Sequence, residues 1–325
     1  MRAVVLRSHG GPEVLTFEDV PDPVPAPDQV LVDVAATALN RADLMQRMGL
    51  YPSPEAAPIE IPGLEFAGRV SAVGARVTLW QPGDAVMGIL AGGGYAERVV
   101  IHERQAMPVP AGVTVADAAA IPEVFLTAWD ALVLQGGLTS GRWALIHAGA
   151  SGVGTAGVQL AKAIGARVAV TCSAGKADAV RALGADLVLE RSPHDWATDA
   201  KAGVPGGFDV ILDVVGGDET NRSLQALALK GRIVQVGTMA GSSPSVNLGV
   251  LMFKRAQLIG TVLRARPLEE KIALARRFTA EVVPLFEAGV VRPVIDTRFP
   301  FAQVADAHAR MAADANVGKI VLTMG

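Results

Sequence analysis

After an apolar run from Trp143 to Ile146, the sequence sets Gly149, Gly152 and Gly154 at a spacing suited to cradling a phosphate. The run reads as a buried parallel strand. The glycines let the backbone turn tightly and approach a ligand with no Cβ in the way. Val158, Ala161 and Ile164 then recur at helical spacing as far as Gly165, which suits a C-terminal stop. A helix opening at such a turn points free N–H groups, here those around Ser151, Gly152 and Val153, and the positive end of its dipole at one spot. That spot favours a pyrophosphate. The stretch departs from the usual G-x-G-x-x-G because Ser151 holds the middle glycine position. A tight strand–helix turn that binds nothing is the plain alternative. Against it stands a second strand, Arg167 to Thr171, which follows the helix as a βαβ unit requires.

The end of that second strand bears on the adenosine half of a dinucleotide. A site for NAD usually places an Asp or Glu there; here the chain reads Thr171-Cys172-Ser173, with Lys176 following. No carboxylate would repel a ribose 2′-phosphate, while Ser173 and Lys176 could bond and neutralise it. Arg191, just past the apolar run Leu187 to Leu189, could stack on adenine or pair with that phosphate. Solvated surface charge is the plainer reading of Lys176 and Arg191 taken singly. Together with the absent acid they favour NADPH as cofactor.

The chain has 325 residues, half of them hydrophobic, enough for two domains with sizeable cores. A net charge of −3, from 29 basic and 32 acidic residues, gives no nucleic-acid footprint. A single cysteine, Cys172, excludes an internal disulfide and a cysteine-rich zinc site, and fits a reducing, cytoplasmic setting. Met1 to Arg7 is too short and charged for a secretory signal. Trp143 to Ala161 is uncharged, but its glycines and His147 mark the nucleotide turn, so no membrane span is expected.

Three regions follow one another. Up to about Ile121 short β-rich pieces (Ala3–Leu6, Gln29–Thr37, Gly68–Val73, Ala85–Met87, Ala96–Ile101) alternate with turns, with the proline-rich Pro21 to Pro27 as a stiff connection. From about Pro122 to Thr261, strands at 143–147, 167–171, 186–189, 208–214, 232–236 and 257–262 alternate with helices, the pattern of a doubly wound parallel sheet. Then come helices over Leu268–Ala288 and Phe301–Ala313 and a closing strand, Lys319–Thr323, expected to return to the first domain. The nicotinamide and substrate are expected in a cleft between the domains.

Asn40-Arg-Ala-Asp43, Tyr51-Pro52, Gly63-Leu-Glu65, Pro82-Gly-Asp84, Ala120-Ile-Pro-Glu123, Ala148-Gly-Ala-Ser-Gly-Val-Gly154-x4-Gln159 and Gly318-Lys319 together resemble the medium-chain dehydrogenase/reductase superfamily. Within it the chain is similar to the zinc-free quinone oxidoreductase branch. The resemblance covers essentially the whole length. It implies an α/β protein with a GroES-like β-rich catalytic domain over residues 1–121, completed by 262–325, and a Rossmann dinucleotide-binding domain over 122–261. Zinc-dependent relatives carry Cys-His, Gly-His-Glu and a further Cys where this chain has Asn40, Leu64 and Glu123. Leucine cannot bind zinc, and His9, His102, His147, His194 and His308 show no ligand spacing, so no metal is expected.

By the same resemblance Asn40, Asp43 and Tyr51 line the catalytic site, with Tyr51 the candidate donor to a developing oxyanion. Asn40 and Asp43 also fit a helix start running to Met48, and Tyr51 also fits a pocket wall. Glu65 reads as a structural hydrogen-bonding residue, since a buried carboxylate needs partners. For the cofactor the resemblance adds Thr127 on the nicotinamide side, Gly237, Met239, Leu263 and Arg264 near nicotinamide and ribose, and Asn316 and Lys319 as closing contacts. Many relatives carry a tyrosine where Arg191 stands.

The implied function is NADPH-dependent, metal-free hydride transfer to quinones. An enone, alkenal or enoyl-thioester reductase uses the same hydride geometry on another acceptor. A structural or RNA-associated NADPH-binding protein is the alternative of another class, which the acidic balance disfavours. A homodimer is implied too, with Gln257 to Leu263 as a plausible exposed edge.

Overall fold

A computed structural model describes residues 1–54, 59–191, 195–243 and 245–325; His194 lies outside them. In chain order the strands are β1 (Arg2–Leu6), β2 (Leu15–Asp19), β3 (Gln29–Ala38), β4 (Glu65–Val73), β5 (Ala85–Ile89), β6 (Arg98–His102), β7 (Met107–Pro108), β8 (Trp143–Ile146), β9 (Arg167–Cys172), β10 (Leu187–Glu190), β11 (Phe208–Asp213), β12 (Leu227–Gln235), β13 (Gln257–Gly260), β14 (Ile295–Pro300) and β15 (Lys319–Thr323). They fall into two compact units: Met1–Leu126 with Leu263–Gly325, and Thr127–Val262.

The first unit is built on a mixed sheet of order β14-β15-β3-β4-β5-β7, with β6 also pairing β3, beside the antiparallel pair β1-β2. Alternation in β3 turns Val30, Val32 and Val34 onto one face, against Phe66, Val70, Val86, Val99 and Ile101. A second core gathers Val4, Leu6, Leu39, Leu44, Tyr95, Val304, Ile320 and Leu322. The apolar β15 runs antiparallel to β3 and parallel to β14, so the chain's last strand sits inside the sheet.

Three strands escaped the sequence reading. β7 has only two residues, β2 carries polar Thr16, Glu18 and Asp19, and β14 is a polar-rich edge strand that ends on Pro300. The helix expected over Leu268–Ala288 is two helices, Leu268–Glu281 and Val283–Glu287, because Pro284 has no N–H to continue the ladder. Phe301–Ala313 likewise resolves into a 3-10 turn, Phe301–Gln303, and an α-helix, Val304–Ala312.

The second unit holds a six-stranded sheet of order β10-β9-β8-β11-β12-β13, parallel throughout. The order reverses beside β8, which is the switch point of a doubly wound fold, and the expected architecture is met. β12 starts earlier than expected: Leu227 pairs with Phe208 and Arg232 with Val210, while Lys230, at φ 64°, throws the intervening residues out of register. Leu145, Ala169, Leu189, Phe208, Ile211 and Ile233 pack with Trp196 and Leu224 as its core. Among the described residues no helix is long and apolar enough to cross a membrane.

Packing explains two of the glycines after β8. A Cβ on Gly149 would come within 2.5 Å of the Val170 side chain, and one on Gly154 within 2.6 Å of the Gly149 backbone and closer still to the Ala148 carbonyl. Gly154→Ala therefore forces backbone apart, at a cost on the order of 1–3 kcal/mol. In calorimetry it lowers Tm by several degrees. Gly175→Ala, where a new Cβ meets nothing within 4 Å, leaves Tm in place and serves as the control. Equal Tm values for the two variants would contradict this packing.

Candidate active site

β3 ends at Ala38, and the chain passes through Leu39 and Asn40 into the helix Arg41–Arg47. Asn40 is the N-cap position, in extended backbone, and its N–H donates to Asp43 Oδ2 at 2.7 Å. The Asn40 amide is itself spoken for. Its Nδ2 donates to Glu65 Oε1 at 2.9 Å and to the Ala38 carbonyl at 3.3 Å, and its Oδ1 accepts from Lys319 Nζ at 2.6 Å. Glu65 opens β4 and Lys319 opens β15, so the cluster joins three parts of one sheet.

Lys319 is the cation of the cluster. Its ammonium donates to Leu39 O at 2.6 Å, Asn40 Oδ1 at 2.6 Å and Glu65 Oε1 at 2.7 Å. An ammonium has three donors, and all three are used. Glu65 Oε2 accepts the Glu123 N–H at 2.8 Å. Glu65, Asn40 and Lys319 are buried, and each polar atom has a partner, which is the condition for charge to persist there. Lys319, expected from the sequence as a closing cofactor contact, thus positions Asn40 and Glu65 with all three donors engaged inside the first unit. Asn316 holds the turn before it, Nδ2 donating to Gly318 O at 2.7 Å.

Two further expectations change on burial. Asp43 is completely buried, folded back on its own helix start, so it does not line a substrate surface. Arg264, expected near the nicotinamide, is buried within the first unit, where its guanidinium holds the Tyr51 turn. It donates to Ala91 O at 2.6 Å, Tyr51 O at 3.2 Å, Pro52 O at 3.4 Å and Gln46 Oε1 at 3.0 Å. It also lies 4.8 Å from the centroid of the Tyr51 ring. Gln46 belongs to the Arg41–Arg47 helix, so one helix carries Asn40 at its start and a brace for Tyr51 near its end. Burial raises the Tyr51 phenol above its ordinary value, against the pull of Arg264, and keeps it a proton donor at neutral pH.

Sequence reasoning missed Tyr95 and undervalued His308. Tyr95 is fully buried, with its hydroxyl 3.2 Å from Asp43 Oδ2 and 3.1 Å from His308 Nε2. Neither has a motif of its own, and only their shared burial beside Asp43 marks them.

In the second unit, the expected cofactor residues gather at the carboxyl ends of parallel strands, where such sheets bind ligands. Gly149 to Gly154 follow β8, Ser173 and Lys176 follow β9, Arg191 follows β10, and Gly237 and Met239 follow β12. Thr127 lies on the helix Pro122–Trp129, and Leu263 is buried in the first unit. Ser151 caps the helix Gly152–Ala163, its Oγ accepting the Gly154 N–H at 3.0 Å. The Gly152 and Val153 N–H groups precede the first intrahelical bonds and face outward from the helix start. His147, also missed as a site residue, braces the turn from below. It bonds Thr171 Oγ1 at 3.0 Å and Ser223 Oγ at 2.8 Å, and Thr171 Oγ1 accepts the Ala148 N–H at 3.2 Å. Asp213, ending β11, does similar work, its Oδ1 accepting the N–H groups of Val215 at 2.6 Å and Gly216 at 3.0 Å.

Comparison with known proteins follows this geometry. Residues 183–322 match the family model described as zinc-binding dehydrogenase, and residues 26–111 the alcohol dehydrogenase GroES-like domain. The human synaptic vesicle membrane protein VAT-1 homolog is 32% identical over 343 aligned positions, covering 100% of this chain and 87% of that protein. A crystal structure of an NAD-dependent alcohol dehydrogenase superposes with a TM-score of 0.89 at 31% identity, covering 100% of both chains. A quinone oxidoreductase from Pseudomonas syringae pv. Tomato superposes at 0.90 with 30% identity, covering 99% of each. On these grounds the chain belongs to the medium-chain dehydrogenase/reductase superfamily of oxidoreductases.

Proposed function

We propose that this chain catalyses NADPH-dependent, metal-free hydride transfer to quinones. The observation that carries the reading is the buried Lys319 ammonium, which engages the oxygens of Asn40 and Glu65. The matched family model is described as zinc-binding, but this donor set does not fit zinc. Leu64 offers no ligand atom, Glu65 has both oxygens engaged, and among the described residues no three His, Cys, Asp or Glu side chains gather to hold a metal. A site without a Lewis acid suits an acceptor that is already electrophilic, and a quinone is one. Similarity to the Pseudomonas quinone oxidoreductase supports the same choice.

The residues after β8 fit a dinucleotide: the turn leads into a helix start capped by Ser151, which offers the N–H groups of Gly152 and Val153. When bound, the nicotinamide supplies the hydride. Ser173, Lys176 and Arg191 would hold a ribose 2′-phosphate, and their two cations outweigh Glu190, which pairs in register with Cys172. Gly237 and Met239 would approach the nicotinamide end. Tyr51 donates its phenolic hydrogen to the acceptor oxygen where negative charge develops. Asn40, fixed by Lys319 and Glu65, anchors the helix that braces Tyr51 through Gln46 and Arg264.

The subunit is a homodimer in this reading. β13 is the outer strand of its sheet, with Leu258 41% exposed, and Phe253 in the preceding helix is 84% exposed. An uncovered apolar edge of this kind favours pairing with a second copy.

Four outcomes test the proposal. With benzoquinone, phenanthrenequinone, hexenal and crotonyl-CoA as acceptors, NADPH oxidation is fastest with a quinone, and Tyr51→Phe lowers kcat about 10²-fold. Preference for hexenal or crotonyl-CoA would replace quinone reduction by double-bond reduction, and an unchanged kcat would make Tyr51 a wall. Lys176→Ala raises KM for NADPH at least tenfold more than KM for NADH, as loss of a charged phosphate contact requires; equal changes would remove the 2′-phosphate assignment. Light scattering gives twice the subunit mass, and the double variant Leu258→Lys, Phe253→Lys gives the monomer mass. A monomeric wild type would refute the dimer.

A further inference from the structure

Asp43, Tyr95 and His308 lie in line inside the first unit, and the reaction outlined above uses none of them directly. Asp43 Oδ2 takes the Asn40 N–H and the Tyr95 hydroxyl, and the Tyr95 oxygen in turn meets His308 Nε2. The outer atoms of the line, Asp43 Oδ1 and His308 Nδ1, are buried without a hydrogen-bond partner. Arg47, four residues after Asp43 on the same helix face, is buried with its Nε and Nη1 also unpartnered. A buried carboxylate with one oxygen unmatched is poorly held in its ionised form.

Such a line can be wired in two directions. With Asp43 ionised, Tyr95 donates to Asp43 and His308 Nε2–H donates to Tyr95, leaving Nδ1 bare. A solvent proton that reaches Nδ1 when the surrounding packing opens locally lets Nε2 release its own to Tyr95, which passes its hydrogen to Asp43. The line then runs from Asp43 O–H to Tyr95 and from Tyr95 O–H to His308 Nε2, with one proton gained. His308 changes tautomer and never charge.

We propose that these residues form a one-proton relay, in which Tyr95 and His308 are positioning residues that set the charge on Asp43 and so the grip of Asp43 on the Asn40 N–H. An ionised Asp43 holds that N–H by a charge-assisted bond, roughly twice as strong as a neutral one. Protonation loosens the start of the helix carrying Asn40. Other charges face Asp43 from every side: Lys319 from β15, Glu65 from β4, Arg47 on its own helix and Arg264 from beyond β13. Burial pushes the Asp43 carboxyl up to about 7, although the Asn40 N–H and Lys319 pull the other way. Burial, reinforced by Arg47, pushes His308 down to about 3, which keeps it neutral.

The signs of the two shifts oppose each other. Asp43, raised in the fold, contributes stability below about pH 4 that is lost as pH rises through about 7. His308, lowered in the fold, contributes stability above about pH 6.5 that is lost as pH falls toward 3. Asp43→Asn removes the first slope and leaves the second, so the stability of the variant climbs more steeply with pH between about 4 and 7 than that of the wild type.

The direct test follows the Asn40 backbone amide by NMR as pH is varied, a readout independent of any activity. In the wild type its proton shift titrates with a midpoint near 7. In Tyr95→Phe, which removes a donor to the carboxylate, the midpoint moves up by about one pH unit. In Asp43→Asn the titration disappears. An Asn40 amide that does not titrate in the wild type, or a Tyr95→Phe midpoint equal to it, overturns the relay even if Asp43→Asn fails to fold. Resting on the quinone reading, kcat/KM for NADPH and benzoquinone rises through the same midpoint and follows it in Tyr95→Phe. If the amide titrates but kcat/KM does not follow, the positioning role is wrong. Absence of quinone turnover altogether refutes the proposed function and leaves the NMR result to decide the relay.

Discussion

The ammonium of Lys319, buried against the oxygens of Leu39, Asn40 and Glu65, ties three strands of the first unit to one point. It joins the first residue of β15 to the end of β3 and the start of β4, strands brought from both ends of the chain. Charges taken out of water are tolerated only when matched, and removing one partner of such a pair costs about 3–5 kcal/mol. The geometry at this point therefore admits little variation. Asn40 has its amide fixed on both sides, and through Oε2 of Glu65 the backbone at Glu123 is fixed as well.

From that anchor the placement of Tyr51 follows by short steps. Asn40 begins the Arg41–Arg47 helix, Gln46 near the end of that helix accepts from Arg264, and Arg264 holds the carbonyls of Tyr51 and Pro52. The Tyr51 phenol is thus placed by a guanidinium that reaches it from residue 264, after the chain has passed through the whole second unit. Tyr51 lies on a turn whose carbonyls accept these bonds. Part-buried hydrogen bonds from Arg264 to those carbonyls fix the backbone there.

The second unit meets a comparable demand mainly with hydroxyl and imidazole groups, joined by the Asp213 carboxylate. A backbone turning sharply after β8 needs its N–H groups free for a ligand and its remaining polar atoms satisfied. Thr171 takes the Ala148 N–H, His147 links Thr171 to Ser223, and Ser151 caps the helix. Burial lowers the His147 imidazole below its ordinary value, which suits this structural role. The two units thus hold these segments differently, the first by a buried ammonium and a buried guanidinium and the second mainly by hydroxyl and imidazole hydrogen bonds.

What the sequence determined by itself was local. Apolar runs of strand length, glycines that packing cannot replace and the alternation of strand and helix were legible between Trp143 and Gly260, because they reflect backbone sterics and periodic burial within a few residues. The motif from Asn40 to Asp43 was legible as a helix start for the same reason. Tertiary structure alone decided which polar side chains became partners. Lys319 and Arg264 look like cofactor contacts when read along the chain, yet each is drawn inside the first unit by a carboxylate or carbonyls distant in sequence. Asp43 looks like a substrate-facing acid, and burial beside Tyr95 and His308 makes it an internal one. The physical reason is the same for Lys319 and Arg264. A buried charge sits where partners distant in sequence are assembled, and for Lys319 that assembly depends on β15 seating between β14 and β3.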